Sequence, residues 1–273
     1  MKKLYLNVSI FAFEIFFISC SHVLHDNAKQ GNDRGFNAPV VANTNANQEE
    51  NNSDMIKRTN KNMQLPLTTH PVTDSPDGWK DLFAKDLSNA AISDTGTWAF
   101  EPDGVLSATK GVPYRVMWTK EKYTNFILDL EFRNAPKTNS GVALRSSSMD
   151  QTEWVHVAPE VQILDSYGKE KVGKTDCGAI YECLEPDRNM VKKPGEWNHY
   201  TITCIGSRIY VILNGRQIID MDMDKWTRQG ENPDGTKNMF NRAVRDMSRS
   251  GYIGLQYHGV PVWFRNIRIK SLK

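Results

Sequence analysis

The chain has 273 residues, of which 39% are hydrophobic and 24% charged, with a formal net charge of +2. That is enough chain for one large domain or two small ones around a sizeable core. A charge balance so near neutral, with no Lys/Arg stripe, removes the electrostatic case for a nucleic-acid partner.

Residues 1–20, MKKLYLNVSIFAFEIFFISC, read as a targeting segment: a basic Lys2-Lys3 start, an apolar stretch too short to span a bilayer, and Ser19 before Cys20. Phe17-Ile18-Ser19-Cys20 resembles a bacterial lipobox, in which cleavage leaves Cys20 to carry lipid; an ordinary secretory signal is the alternative. The expectation is an exported protein held to a bacterial membrane through that lipid alone. Residues 21–70 are Asn-rich, with Phe36 their only Phe, Tyr or Trp, and cannot bury enough apolar surface to offset their ordering entropy. They are expected to form a disordered tether to a folded domain at 71–273.

From Trp79 onward short apolar runs alternate with turn signals. FILDLEFR, GVALR, VQIL, HYTITCIG, IYVILNGRQIID, YIGLQYHG and VWFRNIRIK follow one another without a sustained 3.6-residue period. Asn214-Gly215 is the strongest hairpin signal, a two-residue turn that needs φ > 0. The pattern predicts an all-β fold, an antiparallel β-sandwich or jelly roll. One long polar excursion near 224–250 is too long for a hairpin turn and is expected to carry a short helix and frame a cleft. Cys177 and Cys183 are near enough in sequence to join; the other reading is three small buried thiols, Cys204 included. No CxxC spacing suggests zinc.

Strand alternation also sorts the polar residues. In PEVQILD, Val161 and Ile163 share a core face, leaving Glu160 and Gln162 about 7 Å apart on the other. The same bookkeeping puts Arg145, Tyr181, and Gln256 with His258 opposite the aliphatic residues of their own strands. An exposed sheet face is the plain explanation for each alone. Together, a guanidinium, amides, a phenol, an imidazole and one carboxyl are the groups that orient hydroxyls and move a proton near neutral pH.

The ordered run of GWKDLF, WAFEPDGVL, FILDLEFR, NSGVALR, PEVQILD, CGAIY, KPGEWNHYTI, LNGRQI, GYIGLQYHG and VWFRNIRIK resembles the 3-keto-disaccharide hydrolase family, described too as 3-keto-glucoside 1,2-lyase and 3-keto-2-hydroxy-glucal hydratase. The chain departs from it at LFAKDLSNA, which lacks the Gly and Trp common there. The resemblance implies a concanavalin A-like sandwich acting on a 3-keto-glucoside. A base removes the C2 proton, the aglycone leaves from C1, and water adds to the 2-hydroxy-glucal. It further implies His258 or Glu160 as base, His258 being favoured by its ordinary pKa. Arg145 with Gln162 or Gln256 would hold the enolate, and Tyr181 or Asp165 would assist the leaving group. Asn139 and Asn266 would contact substrate. Asp165 can equally be a turn residue, and the two Asn can equally serve loop or strand-end hydrogen bonds.

No cofactor is required by this chemistry, although a separate sugar 3-dehydrogenase must make the ketone. A structural Ca²⁺ on Asp220, Asp222 and Asp224 is one reading of DMDMD, and a solvated strand end is the other. Two rival functions remain: a non-catalytic carbohydrate-binding module or lectin, and a laminarinase-type retaining glycosidase. For the latter, Glu160, Gln162 and Asp165 keep the spacing of the usual acidic motif but lack its middle acid.

Overall fold

A computed structural model describes residues 67–74, 77–94 and 96–273; the signal segment, Cys20 and tether residues 21–66 lie outside the described residues. Thirteen strands form in chain order: β1 (Trp79–Asp81), β2 (Ala90–Ala91), β3 (Trp98–Phe100), β4 (Leu106–Ala108), β5 (Arg115–Thr119), β6 (Phe126–Asn134), β7 (Asn139–Ser146), β8 (Glu160–Leu164), β9 (Trp197–Ile205), β10 (Arg208–Leu213), β11 (Arg216–Asp222), β12 (Tyr252–Tyr257) and β13 (Val262–Ser271). An eight-stranded sheet runs β11-β10-β9-β6-β13-β4-β3 with β1 also on β13, and a five-stranded sheet runs β2-β5-β12-β7-β8. Every strand pair is antiparallel, as the sandwich expectation required.

The sheets meet over one core. Leu128, Leu130 and Phe132 of β6 face Val142 and Leu144 of β7 and Val161 and Ile163 of β8, all at most 1% exposed. Each such side chain contributes roughly 1.5–3 kcal/mol by leaving water, and their strict alternation fixes the strand register. Asn214 and Gly215 take φ of 50° and 84° between β10 and β11, the tight turn expected of them.

The alternate residues of the five-stranded sheet face the other way. There Val116, Trp118, Ala143, Trp154 and Ala158 form a second, smaller apolar cluster. Two insertions build this layer: a loop carrying a single 3₁₀ turn at Trp154–His156, and the 224–250 excursion, with 3₁₀ turns at Met223–Lys225 and Val244–Asp246. His156 Nδ1 meets the Met239 carbonyl oxygen at 3.2 Å and ties the two together.

His70 stacks on His199 of β9, ring centroids 3.6 Å apart at 12°. The Gly215 backbone N–H donates to His70 Nε2 at 2.8 Å, so His70 Nδ1 carries the proton and donates to Thr201 Oγ1 at 2.8 Å. Cys177, Cys183 and Cys204 are all free and buried, so no disulfide joins the first two. The carboxylates of the DMDMD run meet guanidinium groups: Arg208 engages Asp220 and Asp222, and Arg249 donates to Asp224 at 2.8 Å.

Candidate functional site

A cavity of about 140 Å³ opens on the outer face of the five-stranded sheet, lined by Asn139, Trp154, Val155, Ala158, Glu160, Gln162, Tyr181, Met239, Phe240, Gln256 and His258. Five residues picked out by alternation therefore converge here, Glu160, Gln162, Tyr181, Gln256 and His258, together with Asn139, which the resemblance implied. Register explains it, because Gly141 pairs with Gln162 and Ala143 with Glu160 across β7 and β8. Tyr181 is brought in by an irregular edge segment, in which Ala179 O accepts from Gln162 N–H and Tyr181 N–H donates to Glu160 O, both at 2.9 Å.

Glu160 is the unusual member. It is 8% exposed, and its Oε1 is buried with no hydrogen-bond partner. No Lys or Arg lines the cavity among the described residues, and burial pushes the Glu160 carboxyl up to about 8. His258 moves the opposite way, since partial burial lowers its pKa below the ordinary 6.5. At neutral pH the pair is thus a carboxylic acid and a neutral imidazole, the protonation states of a general acid and a general base. Burial, and then the charges of Glu182 and Glu160, raise the Tyr181 phenol, which stays a donor. Gln162 donates to Asn139 Oδ1 at 3.1 Å, leaving the Asn139 amide nitrogen free toward the cavity. Gln256 Oε1 is buried without a partner.

Room for the acid comes from one residue. A Cβ on Gly141 would lie 1.8 Å from Glu160 Oε1 and 2.5 Å from its Cδ. Because every clash, Cγ at 2.7 Å included, is with the Glu160 side chain and none with backbone, Gly141→Ala is expected to leave the fold intact while displacing the whole side chain and its carboxyl. Turnover should fall by ~10²-fold or more, as for loss of a general acid, with a melting temperature close to wild type by calorimetry. Unchanged turnover would show that the Glu160 position does not matter.

Three expected site residues lie elsewhere. Arg145 has φ of +51° where β7 carries one residue more than β12, a β-bulge that reverses the side its chain takes. It is 2% exposed and donates to Thr124 O at 2.6 Å, Gly206 O at 2.7 Å and Asn125 Oδ1 at 3.4 Å. Asn266, φ +52°, is the extra residue of a second bulge, on β13, and donates to Glu131 Oε1 at 2.6 Å on the opposite sheet. Asp165 closes β8: its carboxylate accepts from Lys137 N–H at 2.9 Å and its own N–H donates to Thr138 O at 3.0 Å. Trp154, Val155, Ala158, Met239 and Phe240 were missed, because they come from loops with no period; only the expectation that the excursion frames a cleft pointed to them.

A second, polar cavity of about 350 Å³ on the eight-stranded sheet includes Asp129, Glu131 and His199 among its lining. Beside it, ligand atoms of His70, Asp129 and His199 lie within 4.8 Å of one another. Ions bind imidazole in the ring plane, and two rings stacked nearly parallel share no such plane. The trio is better described as a hydrogen-bonded clasp: Thr201 Oγ1 and His199 Nε2 donate to the two oxygens of Asp129 at 2.5 Å and 2.8 Å.

Fold and site together define an antiparallel sandwich protein in which a buried carboxyl and an imidazole share an amide-lined pocket walled by aromatic rings. Residues 78–270 match the 3-keto-α-glucoside-1,2-lyase-like domain, and the chain belongs to that family. A Parabacteroides distasonis protein provisionally described as a glycosyl hydrolase is 43% identical, with a TM-score of 0.64 over 71% of this chain and 99% of that one. A second protein from that organism, described in the same way, shares the fold at 21% identity and a TM-score of 0.60, covering 76% of this chain and 99% of its own. The 3-keto-disaccharide hydrolase of Bacteroides thetaiotaomicron is 26% identical over 173 residues, 55% of this chain; the match spans about 60% of that curated relative's length.

Proposed function

We propose that the protein cleaves 3-keto-glycosides by elimination followed by hydration, a net hydrolysis. The observation that carries this is the buried, partnerless Glu160 carboxyl sharing one cavity with a neutral His258. The ketone at C3 acidifies the C2 proton. His258 takes that proton, the C1–O bond breaks, Glu160 gives its proton to the departing oxygen, and C1=C2 forms. Water then adds across the double bond, hydroxyl to C1 and hydrogen to C2, yielding the free 3-keto sugar. Since no Lys or Arg lines the cavity among the described residues, the C3 enolate is held by neutral donors: Asn139 and Gln256 amides and the Tyr181 phenol. Arg145 has no part in it.

Family membership and the name of the Bacteroides thetaiotaomicron relative support the substrate class. A retaining glycosidase needs two carboxyl groups about 5 Å apart, whereas Glu160 is the only carboxylate lining this cavity among the described residues and Asp165 is turned into a loop. A separate dehydrogenase of sugar C3 supplies the substrate. Lipid on Cys20 would hold the enzyme at the bacterial envelope.

Incubation with matched glucosides and 3-keto-glucosides tests this directly. Aglycone is expected only from the oxidised partner of each pair. Equal release from both would overturn the elimination route, and calorimetric sugar binding without product would make the protein a carbohydrate-binding module.

A further inference from the structure

We infer that Tyr114, with Val112 beside it, is a platform for the second ring of the substrate and sets which glycosides are accepted. This rests on the proposed reaction. The cavity, about 140 Å³, has room for about one ring, well under the ~300–1,000 Å³ of pockets that enclose larger ligands. A disaccharide must therefore leave its second ring outside, at the mouth.

Beside the cavity the Tyr114 ring packs against His258 of its lining in a T-shaped arrangement, centroids 4.3 Å apart at 70°. Tyr114 is 60% exposed and Val112 45%. They are two of only four large hydrophobic side chains so exposed among the described residues. Apart from His258, no ring or cation lies against Tyr114 among the described residues, so at least one of its faces is open. The C–H face of a pyranose packs on such a ring face, as carbohydrate platforms require.

The platform is also built to stay put. Tyr114 holds φ of +60°, a backbone region uncommon for an aromatic residue and sustained only where its surroundings fix it. Gly111 lies so close to Thr97 that a Cβ there would come within 2.1 Å of its hydroxyl oxygen. The Val112 N–H donates to Asp94 Oδ2 at 3.3 Å. Pro113 packs on Gly259, where a Cβ would meet it at 3.2 Å. Gly259 directly follows His258, so the loop fixes platform and base relative to each other.

The test compares wild type, Tyr114→Ala and Tyr114→Phe on a 3-keto-disaccharide and on methyl 3-keto-glucoside, which has no second ring. In Tyr114→Ala the ratio of kcat/KM for the disaccharide to that for the methyl glycoside should fall about tenfold, mainly through the disaccharide KM. Tyr114→Phe should restore it, because the ring and not the hydroxyl makes the contact. An unaltered ratio overturns the inference while leaving the reaction standing. If wild type turns over neither substrate, the reaction itself is lost. Calorimetry with the two unoxidised sugars then decides the platform alone, selective weakening of disaccharide binding sustaining it and equal binding overturning it.

Discussion

In a Glu160→Gln variant, kcat on a 3-keto-disaccharide should drop by ~10²–10⁴-fold, the usual worth of a positioned proton donor. Glutamine keeps the shape and the hydrogen-bonding capacity of the neutral acid but cannot give up a proton. The loss should therefore shrink for a nitrophenyl aglycone, which leaves without protonation. The pH profile separates this role from a structural one. Wild-type kcat/KM should be bell-shaped: the acid limb falls below 6.5, where His258 protonates and stops accepting, and the alkaline limb lies near 8, where Glu160 ionises. Glu160→Gln should lose the alkaline limb only, and His258→Ala the acid limb together with most of the rate. Stability supplies a second readout. A carboxyl whose pKa is raised on folding favours the native state at low pH, and that contribution drains away as pH rises toward 8. Above pH 8 the variant should accordingly melt higher than wild type. An alkaline limb retained in Glu160→Gln would remove Glu160 from the chemistry.

Glu160 and Gln162 were legible in the sequence for a simple reason. Val161 and Ile163 must face the core, so Glu160 and Gln162 must face away, and period-2 bookkeeping needs no knowledge of neighbours. The same bookkeeping failed at Arg145 because it sits at a bulge, where one additional residue at positive φ resets the alternation; Asn266, expected from the resemblance, sits at a second such bulge. Asn266 carried a faint warning, since Asn tolerates the left-handed region; Arg145 carried none. Asp165 follows the last residue of β8, where the pleat no longer constrains a side chain and a turn can claim it. Trp154 and Phe240 reach the cavity only through how two loops fold back on the sheet, and that is a tertiary fact without a local pattern.

Arg145 consequently bears the largest stability prediction. It belongs to the five-stranded sheet yet donates to Gly206, in the β9–β10 turn of the other sheet, and to Thr124, just before β6. It is thus a pin between the two layers. Removing the guanidinium deletes its charge-assisted hydrogen bonds to the exposed Thr124 and the half-buried Gly206, and leaves the volume of a large buried side chain empty between the sheets. Arg145→Ala should cost roughly 3–5 kcal/mol. For a domain of this size that lowers the melting temperature by roughly 6–20 °C. Arg145→Lys should fall between, because one ammonium cannot reach carbonyl groups on two segments with the geometry of a planar fork. Well below the melting transition, Arg145→Ala should turn over a 3-keto-glucoside with kcat and KM near those of wild type, its guanidinium being spent on backbone carbonyl groups rather than facing the cavity. A loss of 10²-fold or more in kcat, with an unchanged circular dichroism spectrum and melting temperature, would return this residue to the chemistry and place a cation beside the enolate after all.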